Sequence, residues 1–335
     1  MCEPMKAKLP KTAAVVVTYC TGDNSDLWLN LCVLLTQFDN VFVVDNSPED
    51  CLFGLIGQIK EAYGNRLNFT PANPLGRGKE RNVGLAGAQN IGARLALEAG
   101  AEWIAFFDQD SCPSMNFVSS MFEYYLALPD YEKKRVLALG PRIYDVQGNF
   151  FCQHVVGKGR VGFRRVHFRN GKGLNGLLFI ISSGSFIPAA TFRKLGFFRE
   201  DFFIDYVDNE FCLRGVSKGL RIHVVRDAVL FHRLGNRKVL KVASITMRPT
   251  FHPPWRRYTI YRNRSHVWKL YWKKVPSFVV FDLLAMVYDL LRITATEDAK
   301  REKFLSVFKG LFHGLKTPCG RPLPHLSSVS LPGDD

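Results

Sequence analysis

Short apolar runs that end in polar residues, alternating with helically spaced segments, constrain this fold more than any other feature of the chain. Residues 12–18 (TAAVVVT), 41–44 (VFVV) and 103–107 (WIAFF) are nearly continuous β-branched or aromatic stretches, as strands buried on both faces are, and 67–69 completes the series. Residues 25–38 space Leu27, Leu31, Leu34 and Leu35 along one helical face, with Asn24 or Ser25 as cap. Residues 51–63 read as a second helix, and 82–99 as a third, entered through a glycine-rich turn and stopped at Gly100. This order specifies an α/β chain with a Rossmann-like, doubly wound, mostly parallel sheet. Such sheets bind ligands beyond the carboxyl ends of their strands. Those ends carry Thr18-Tyr19, Asp45-Asn46 and Asp108-Gln109-Asp110. Any one of them alone would be an ordinary turn former. Three at one sheet edge point to a ligand site.

Familiar nucleotide motifs do not fit. Gly76-Arg77-Gly78-Lys79-Glu80 lacks the third glycine of a dinucleotide fingerprint, and Lys79 is followed by Glu80 where a phosphate loop needs Ser or Thr. There is no G-x-S-x-G elbow and no H-E-x-x-H. The paired carboxylates Asp108 and Asp110 remain. At i and i+2 of an extended segment both address one side, where they can share a hard divalent cation such as Mg²⁺ or Mn²⁺.

The charge is unevenly placed. The chain of 335 residues, enough for one large domain or two small ones, carries a net +15. Residues 1–145 hold 13 basic against 17 acidic side chains, so the whole excess lies beyond them. An apolar fraction of 47% can bury a sizeable core. Eight cysteines include no C-x-x-C pair, and Lys6, Lys8, Pro10 and Lys11 interrupt any secretory h-region, so a reduced, cytoplasmic location is expected. The stretch nearest to a membrane span, 275–291, contains Asp282 and Asp289.

In the second half, 177–181 reads as a strand followed by a Ser182-Ser183-Gly184-Ser185 turn. The segment FFIDYVDNEFCLR sets Asp205, Asp208 and Glu210 among aromatics, with a helix starting at Asp208. Helix capping accounts for Glu210 but poorly for three acids in six residues. A strand at 228–231 ends at His232. The helix 255–270 carries Arg256, Arg257, Arg262, Asn263 and Arg264, either as phosphate contacts or as a solvated basic face.

The series VVVTY, VVDNS, NVGLAGAQNIG and FFDQDS resembles the nucleotide-sugar half of the inverting family 2 glycosyltransferases with a GT-A fold. FIDYVDNEFCLR, LFHRLG and RRYTIYRNR are similar to the bacterial rhamnosyltransferase branch, which uses dTDP-L-rhamnose. The likeness runs from about residue 13 to 270. It implies that Thr18 and Tyr19 line the nucleotide pocket, that Asp45 accepts the pyrimidine N3–H with Asn46 beside it, and that Asn82, Gly84, Gln89 and Asn90 border the sugar-nucleotide. Asp108 would face the ribose or sugar, Asp110 would ligate the metal, and His232 would sit near metal and diphosphate. Arg257 and Arg262 would meet the donor diphosphate or an acceptor phosphate. The family's catalytic acid aligns with Asp208, although Val207 stands where the family carries another acid, which keeps Asp205 as the alternative base.

The resemblance thus implies an inverting hexosyltransferase, moving L-rhamnose from dTDP-L-rhamnose, or alternatively a sugar from a UDP- or GDP-linked donor, to a glycan or glycolipid hydroxyl. Residues 1–245 would form the GT-A domain, with a donor half at 12–112 and an acceptor half at 113–245. A basic, aromatic-rich helical extension at 246–316 and a flexible tail at 317–335 would follow. A nucleotidyltransferase fits less well, because the first loop is acidic. A nucleic-acid module lacks any recognisable frame, so no nucleic acid is expected as partner. Self-association stays open. Between Ala228 and Phe281 there is no acid but twelve Lys or Arg, interleaved with Trp255, Trp268 and Trp272, and amphipathic stretches follow at 277–293 and 303–315. These features predict peripheral docking on an anionic membrane surface, at the inner face of the bacterial cell membrane.

Overall fold

The computed structural model of the chain describes residues 9–20, 25–49, 52–168, 171, 173–233, 240–242, 245–247 and 251–320. Asn24, Leu234, Gly235, Arg237, Lys238 and Arg248, as well as most of the expected tail, lie outside them. The first half runs β1 (Thr12–Thr18), α1 (Ser25–Gln37), β2 (Asn40–Asp45), α2 (Phe53–Tyr63), β3 (Leu67–Pro71), α3 (Gly84–Glu98), β4 (Trp103–Asp108) and β5 (Ser111–Pro113). Next come α4 (Phe117–Ala127), α5 (Asp130–Lys133), β6 (Val136–Asp145), β7 (Phe150–Phe151), β8 (His154–Lys158), β9 (Gly162–Val166), β10 (Gly173–Leu174) and β11 (Phe186–Pro188). The rest comprises α6 (Ala189–Leu195), α7 (Val207–Val216), β12 (Arg221–His232), β13 (Leu240–Val242), β14 (Ile245–Met247), α8 (Pro254–Tyr271), α9 (Pro276–Thr296) and α10 (Lys300–Lys316).

The main sheet has the order β10-β12-β6-β11-β4-β1-β2-β3, with β5 and β7 paired off this path. β3, β2, β1 and β4 run parallel, as the alternating pattern requires. β11 is antiparallel to both β4 and β6, which makes the sheet mixed. Alternate residues of β1 and β4 serve two separate cores: Val15, Ile104 and Phe106 on one face, Val16, Ala105 and Phe107 on the other. A strand whose two sides are both buried has to be apolar throughout, which explains TAAVVVT and WIAFF.

Two differences from the sequence reading have clear causes. The segment 177–181 is not a strand; Leu177 makes one bridge to Val156, and Leu178 and Ile180 fill the core from an irregular path. The chain then turns at Gly184, φ +77°, and pairs as β11 instead. The expected 228–231 strand is the end of β12, twelve residues long and broken by a register shift between Val225 and Val229.

The C-terminal helices are welded to the rest. α10 packs on α8 through Gly310 and Gly314, where an added Cβ would come within 2.5 Å of the Tyr258 carbonyl oxygen and 2.4 Å of that of Arg262. Only hydrogen fits at such an approach. No helix among the described residues is long and apolar enough to cross a membrane.

Candidate active site

The parallel strands end level with one another. Thr18 pairs with Asp45 across β1 and β2, and Val17 with Asp108 across β1 and β4. One register therefore brings three polar strand ends to the mouth of a cleft of about 950 Å³, a size suited to a small-molecule ligand. Asp45 is fully buried at its base. Its Oδ1 accepts from Thr18 Oγ1 at 2.9 Å and from Ser47 Oγ at 2.6 Å, while Oδ2 has no hydrogen-bond partner among the described residues. Such an orphaned buried acceptor is costly unless a ligand completes it.

Asn46 holds the entrance of α3. Its Nδ2 donates to the Gly84 carbonyl at 3.0 Å and its Oδ1 accepts from Val83 N–H at 3.1 Å. Gly84 lies at φ +80°, and a Cβ there would sit 2.5 Å from the Phe203 ring. Asn82 caps the same turn through Oδ1 to Gly84 N–H at 2.9 Å.

At the end of β4 the chain turns through Gln109, whose Oε1 accepts from Tyr19 N–H at 2.7 Å, and re-enters the sheet as β5. β5 pairs antiparallel with β12, Ser111 opposite His232. That pairing, 121 residues apart in sequence, carries the histidine to the carboxylates. One ligand atom each of Asp108, Asp110 and His232 lies within 4.8 Å of the others. His232 Nε2 is 3.9 Å from Asp108 Oδ2, and Nδ1 is 3.6 Å from Asp110 Oδ1. Ser111 Oγ lies 2.6 Å from Nδ1 and in turn accepts from Ser183 Oγ at 2.8 Å, so it can orient the imidazole. Burial pushes the Asp108 carboxyl above its ordinary range, His232 opposes this, and Asp110 adds to it. Two crowded acids and an imidazole fit Mg²⁺ or Mn²⁺ by donor type and by charge.

The segment before α7 is strained. Phe203, Asp205 and Tyr206 all lie at φ near +60°, a region non-glycine residues rarely occupy. Asn263 of α8 ties it down, its Nδ2 donating to the carbonyls of Phe202, Ile204 and Asp205. Asp205 is gripped by Arg256 at two points. Asp208 also lines the cleft and makes no ion pair among the described residues; Asn209 N–H donates to it at 2.8 Å. Burial raises its pKa to about 6, against two backbone donors that lower it, with Asp205 and Asp108 adding to the rise.

α8 and α9 form the opposite wall. Asp282, 4% exposed, accepts from Tyr206 Oη at 2.7 Å, Trp268 Nε1 at 2.8 Å and Arg264 Nε at 3.0 Å. Arg257 lies between Asp289 and Glu297, and Arg292 pairs with the same two acids.

No protein-family model matches the chain. It is 31% identical over 295 residues to the dTDP-rhamnosyl transferase RfbF of Shigella flexneri, covering 87% of this chain and 89% of that one. The chain belongs to the rhamnosyltransferase branch of the family 2, GT-A glycosyltransferases.

Solved structures agree on the fold of this glycosyltransferase. It superposes on GalNAc-T7, solved with UDP, GalNAc and Mn²⁺, with a TM-score of 0.58 at 12% identity, over 92% of this chain but 56% of that one. Residues 1–349 of S. aureus TarS superpose with a TM-score of 0.57 at 13% identity, over 91% and 81% of the two chains. The enzyme is a glycosyltransferase using a nucleotide sugar.

Of the residues expected in the glycosyltransferase site, Thr18, Tyr19, Asn46, Asn82, Gly84, Asp108, Asp110, His232, Asp205 and Asp208 line the one cleft, and Asp45 lies beneath it. Gln89 and Asn90 do not; both are buried in α3, and Asn90 instead clamps Phe198 through its carbonyl and N–H, each at 2.9 Å. Arg262 turns away, donating to the Asp201 carbonyl at 2.9 Å. Arg257 lines the cleft with its guanidinium already held by Asp289 and Glu297. Neither is a solvated face, since Arg257 is 1% and Arg262 2% exposed. Sequence reading missed Arg256, Arg264, Tyr206 and Asp282 as cleft residues. The readable signal was two acids seven apart on one face of an apolar helix, Asp282 and Asp289.

Proposed function

We propose that the enzyme transfers L-rhamnose from dTDP-L-rhamnose, with inversion, to a hydroxyl of a lipid-linked cell-surface glycan. The observation that carries this reading is Asp208, a cleft carboxylate without a cationic partner among the described residues, whose pKa is raised toward the working range of a general base. Asp208 takes the proton of the acceptor hydroxyl as that oxygen attacks the anomeric carbon. The glycosyl oxygen bond to the diphosphate breaks on the opposite face, so configuration inverts in one displacement. Asp205 is a poorer base because Arg256 occupies both its oxygens.

On the donor side, the partnerless Asp45 Oδ2 is the acceptor that a pyrimidine N3–H needs. Thr18 and Tyr19 border the nucleoside, Asn46 fixes the loop beside it, and Asn82 and Gly84 lie along the sugar-nucleotide. Asp108, Asp110 and His232 would hold Mg²⁺ or Mn²⁺, which offsets the charge gathered by the departing diphosphate. A donor screen with purified enzyme and Mn²⁺, following nucleoside diphosphate release, tests the reading. Turnover of dTDP-rhamnose at least tenfold above UDP- and GDP-sugars is expected; preference for a UDP-sugar would overturn the donor assignment.

Docking at the inner, anionic face of the cell membrane completes the proposal. Its support is the outward side of α9 and α10, where Leu284, Leu291, Phe308 and Phe312 are all more than half exposed.

A further inference from the structure

We infer that the α8–α9 wall is the acceptor subsite and that it selects an uncharged sugar. This rests on the transfer reaction proposed above and names the substrate class of the same cleft. Four arginines line this wall, Arg256, Arg257, Arg264 and Arg292, of which only Arg257 is singled out from the sequence as a phosphate contact. Each is matched. Arg256 pairs with Asp205 and Arg264 with Asp282; Arg257 and Arg292 share Asp289 and Glu297, with Lys303 also on Glu297 at 2.9 Å. Five cations thus face four acids, and ionised Asp208 cancels the remaining charge. His252, also in the cleft, adds nothing, because burial first and then Arg256 hold its pKa down to about 4.

Among the described residues, an entering phosphate or carboxylate therefore meets no unmatched cation on this wall to offset its desolvation. Sugar hydroxyls meet a different surface. A hydroxyl both donates and accepts, and adjacent guanidinium and carboxylate groups offer both roles side by side. Trp255 Nε1, Arg257 Nε and Arg264 Nη1 are buried behind this surface without hydrogen-bond partners among the described residues. Phe281, Trp255 and Tyr288 supply apolar surface for the ring's C–H faces. Tyr288, 56% exposed, stands where the cleft opens to solvent.

The test uses the full chain, Mn²⁺ and whichever nucleotide sugar it hydrolyses, so that donor turnover is scored before any acceptor is added. Neutral methyl hexosides, the matching uronides and the 6-phosphates are then compared at low and high NaCl. Neutral glycosides are expected to accelerate nucleoside diphosphate release at least tenfold more than either anionic series, with less than a twofold change on adding salt. Preference for a uronide or phosphate, suppression by salt, or equal silence of all three series while the donor is still hydrolysed would overturn the inference. Asp205→Asn, which frees one positive charge on the wall, should shift relative preference toward the anionic glycosides. Tyr288→Ala should raise KM for the neutral glycoside about tenfold.

Discussion

Arg256 binds Asp205 through two hydrogen bonds of 3.0 and 3.1 Å, whereas Asp208 makes no ion pair among the described residues. The two acids stand three residues apart on one strained segment, yet the contact with α8 divides their roles. Asp208→Asn keeps the shape of the side chain and cannot accept a proton. Transfer should fall ~10²–10⁴-fold with donor affinity little changed. Asp205→Asn should cost less in rate and loosen the 203–206 segment. Steady-state kinetics with both variants decide the matter, and the reverse ranking would move the base to Asp205.

The raised pKa of Asp208 fixes the sign of two pH effects. Activity needs the ionised form, so kcat/KM should climb as pH rises toward about 6. A cation at Asp108 and Asp110 pulls that limb lower, because it opposes the rise Asp108 contributes. Folding responds in the opposite direction. The folded state holds the proton more tightly than the unfolded chain, so the stability cost is absent below the unfolded value near 3.8 and complete above about 6. Asp208→Asn should therefore stabilise the protein by about 1–3 kcal/mol at pH 8 and by nothing near pH 3. Denaturant melts at both pH values would show a gain at both, or at neither, if burial does not govern this group.

Asp110→Ala removes one carboxylate from the Asp108, Asp110 and His232 cluster and relieves the crowding of Asp108. Mn²⁺-dependent binding of dTDP should drop at least tenfold while the melting temperature stays within a few degrees. His232→Gln should do the same more weakly, since Ser111 and Ser183 still hold the strand end in place. Calorimetry showing undiminished Mn²⁺-dependent affinity in Asp110→Ala would remove the metal from this cluster.

Gly84→Ala tests the hinge between donor edge and catalytic segment. Its Cβ would lie 2.5 Å from the Phe203 ring and 2.8 Å from the Phe203 carbonyl, at a φ of +80° that alanine avoids. We expect a loss of about 1–3 kcal/mol in stability together with weaker donor binding, because the α3 entrance and residues 203–206 must separate. A variant with wild-type stability and affinity would show that this contact is slack.

The donor half was readable because burial on two faces leaves a strand no polar positions. β1, β2 and β4 therefore announce themselves, and their polar ends mark the ligand edge. β6 was not readable: Gly140 and Pro141 stand inside it, and its neighbours β11 and β12 lie tens of residues away. Asp108-Gln109-Asp110 could be found by eye, whereas its junction with His232 depends on the β5–β12 pairing that no local pattern encodes. The arginines of α8 misled for a related reason. Their charge is legible, but the acids that consume it sit before α7 (Asp205), on α9 and just beyond it, and a basic run shows nothing of where its counterions come from.

The outward side of α9 and α10 bears the last prediction. Val280, Leu283, Leu284, Val287 and Leu291 recur at three- and four-residue spacing and are all exposed, as are Leu305, Phe308, Phe312 and Leu315 on α10. The inner sides are taken: α10 approaches α8 through Gly310 and Gly314, and α9 turns Asp282 and Asp289 toward the cleft. Lys309 and Lys316 are exposed on α10, and Lys316 lies over the Phe312 ring at 4.1 Å. Apolar side chains mixed with lysines suit the headgroup boundary of an anionic bilayer, where each buried Leu or Phe is worth roughly 1.5–3 kcal/mol. The full chain should sediment with phosphatidylglycerol-containing vesicles at low salt and be partly released as salt rises, the apolar share persisting. Replacing Leu284, Leu291, Phe308 and Phe312 together by Ser should weaken that binding at least a hundredfold while donor hydrolysis in solution survives. Removing the helices would not serve, because α8 and α9 wall the cleft. If the wild type ignores vesicles but is a dimer by light scattering, and the fourfold variant is a monomer, the face joins two copies of the enzyme and the membrane assignment fails.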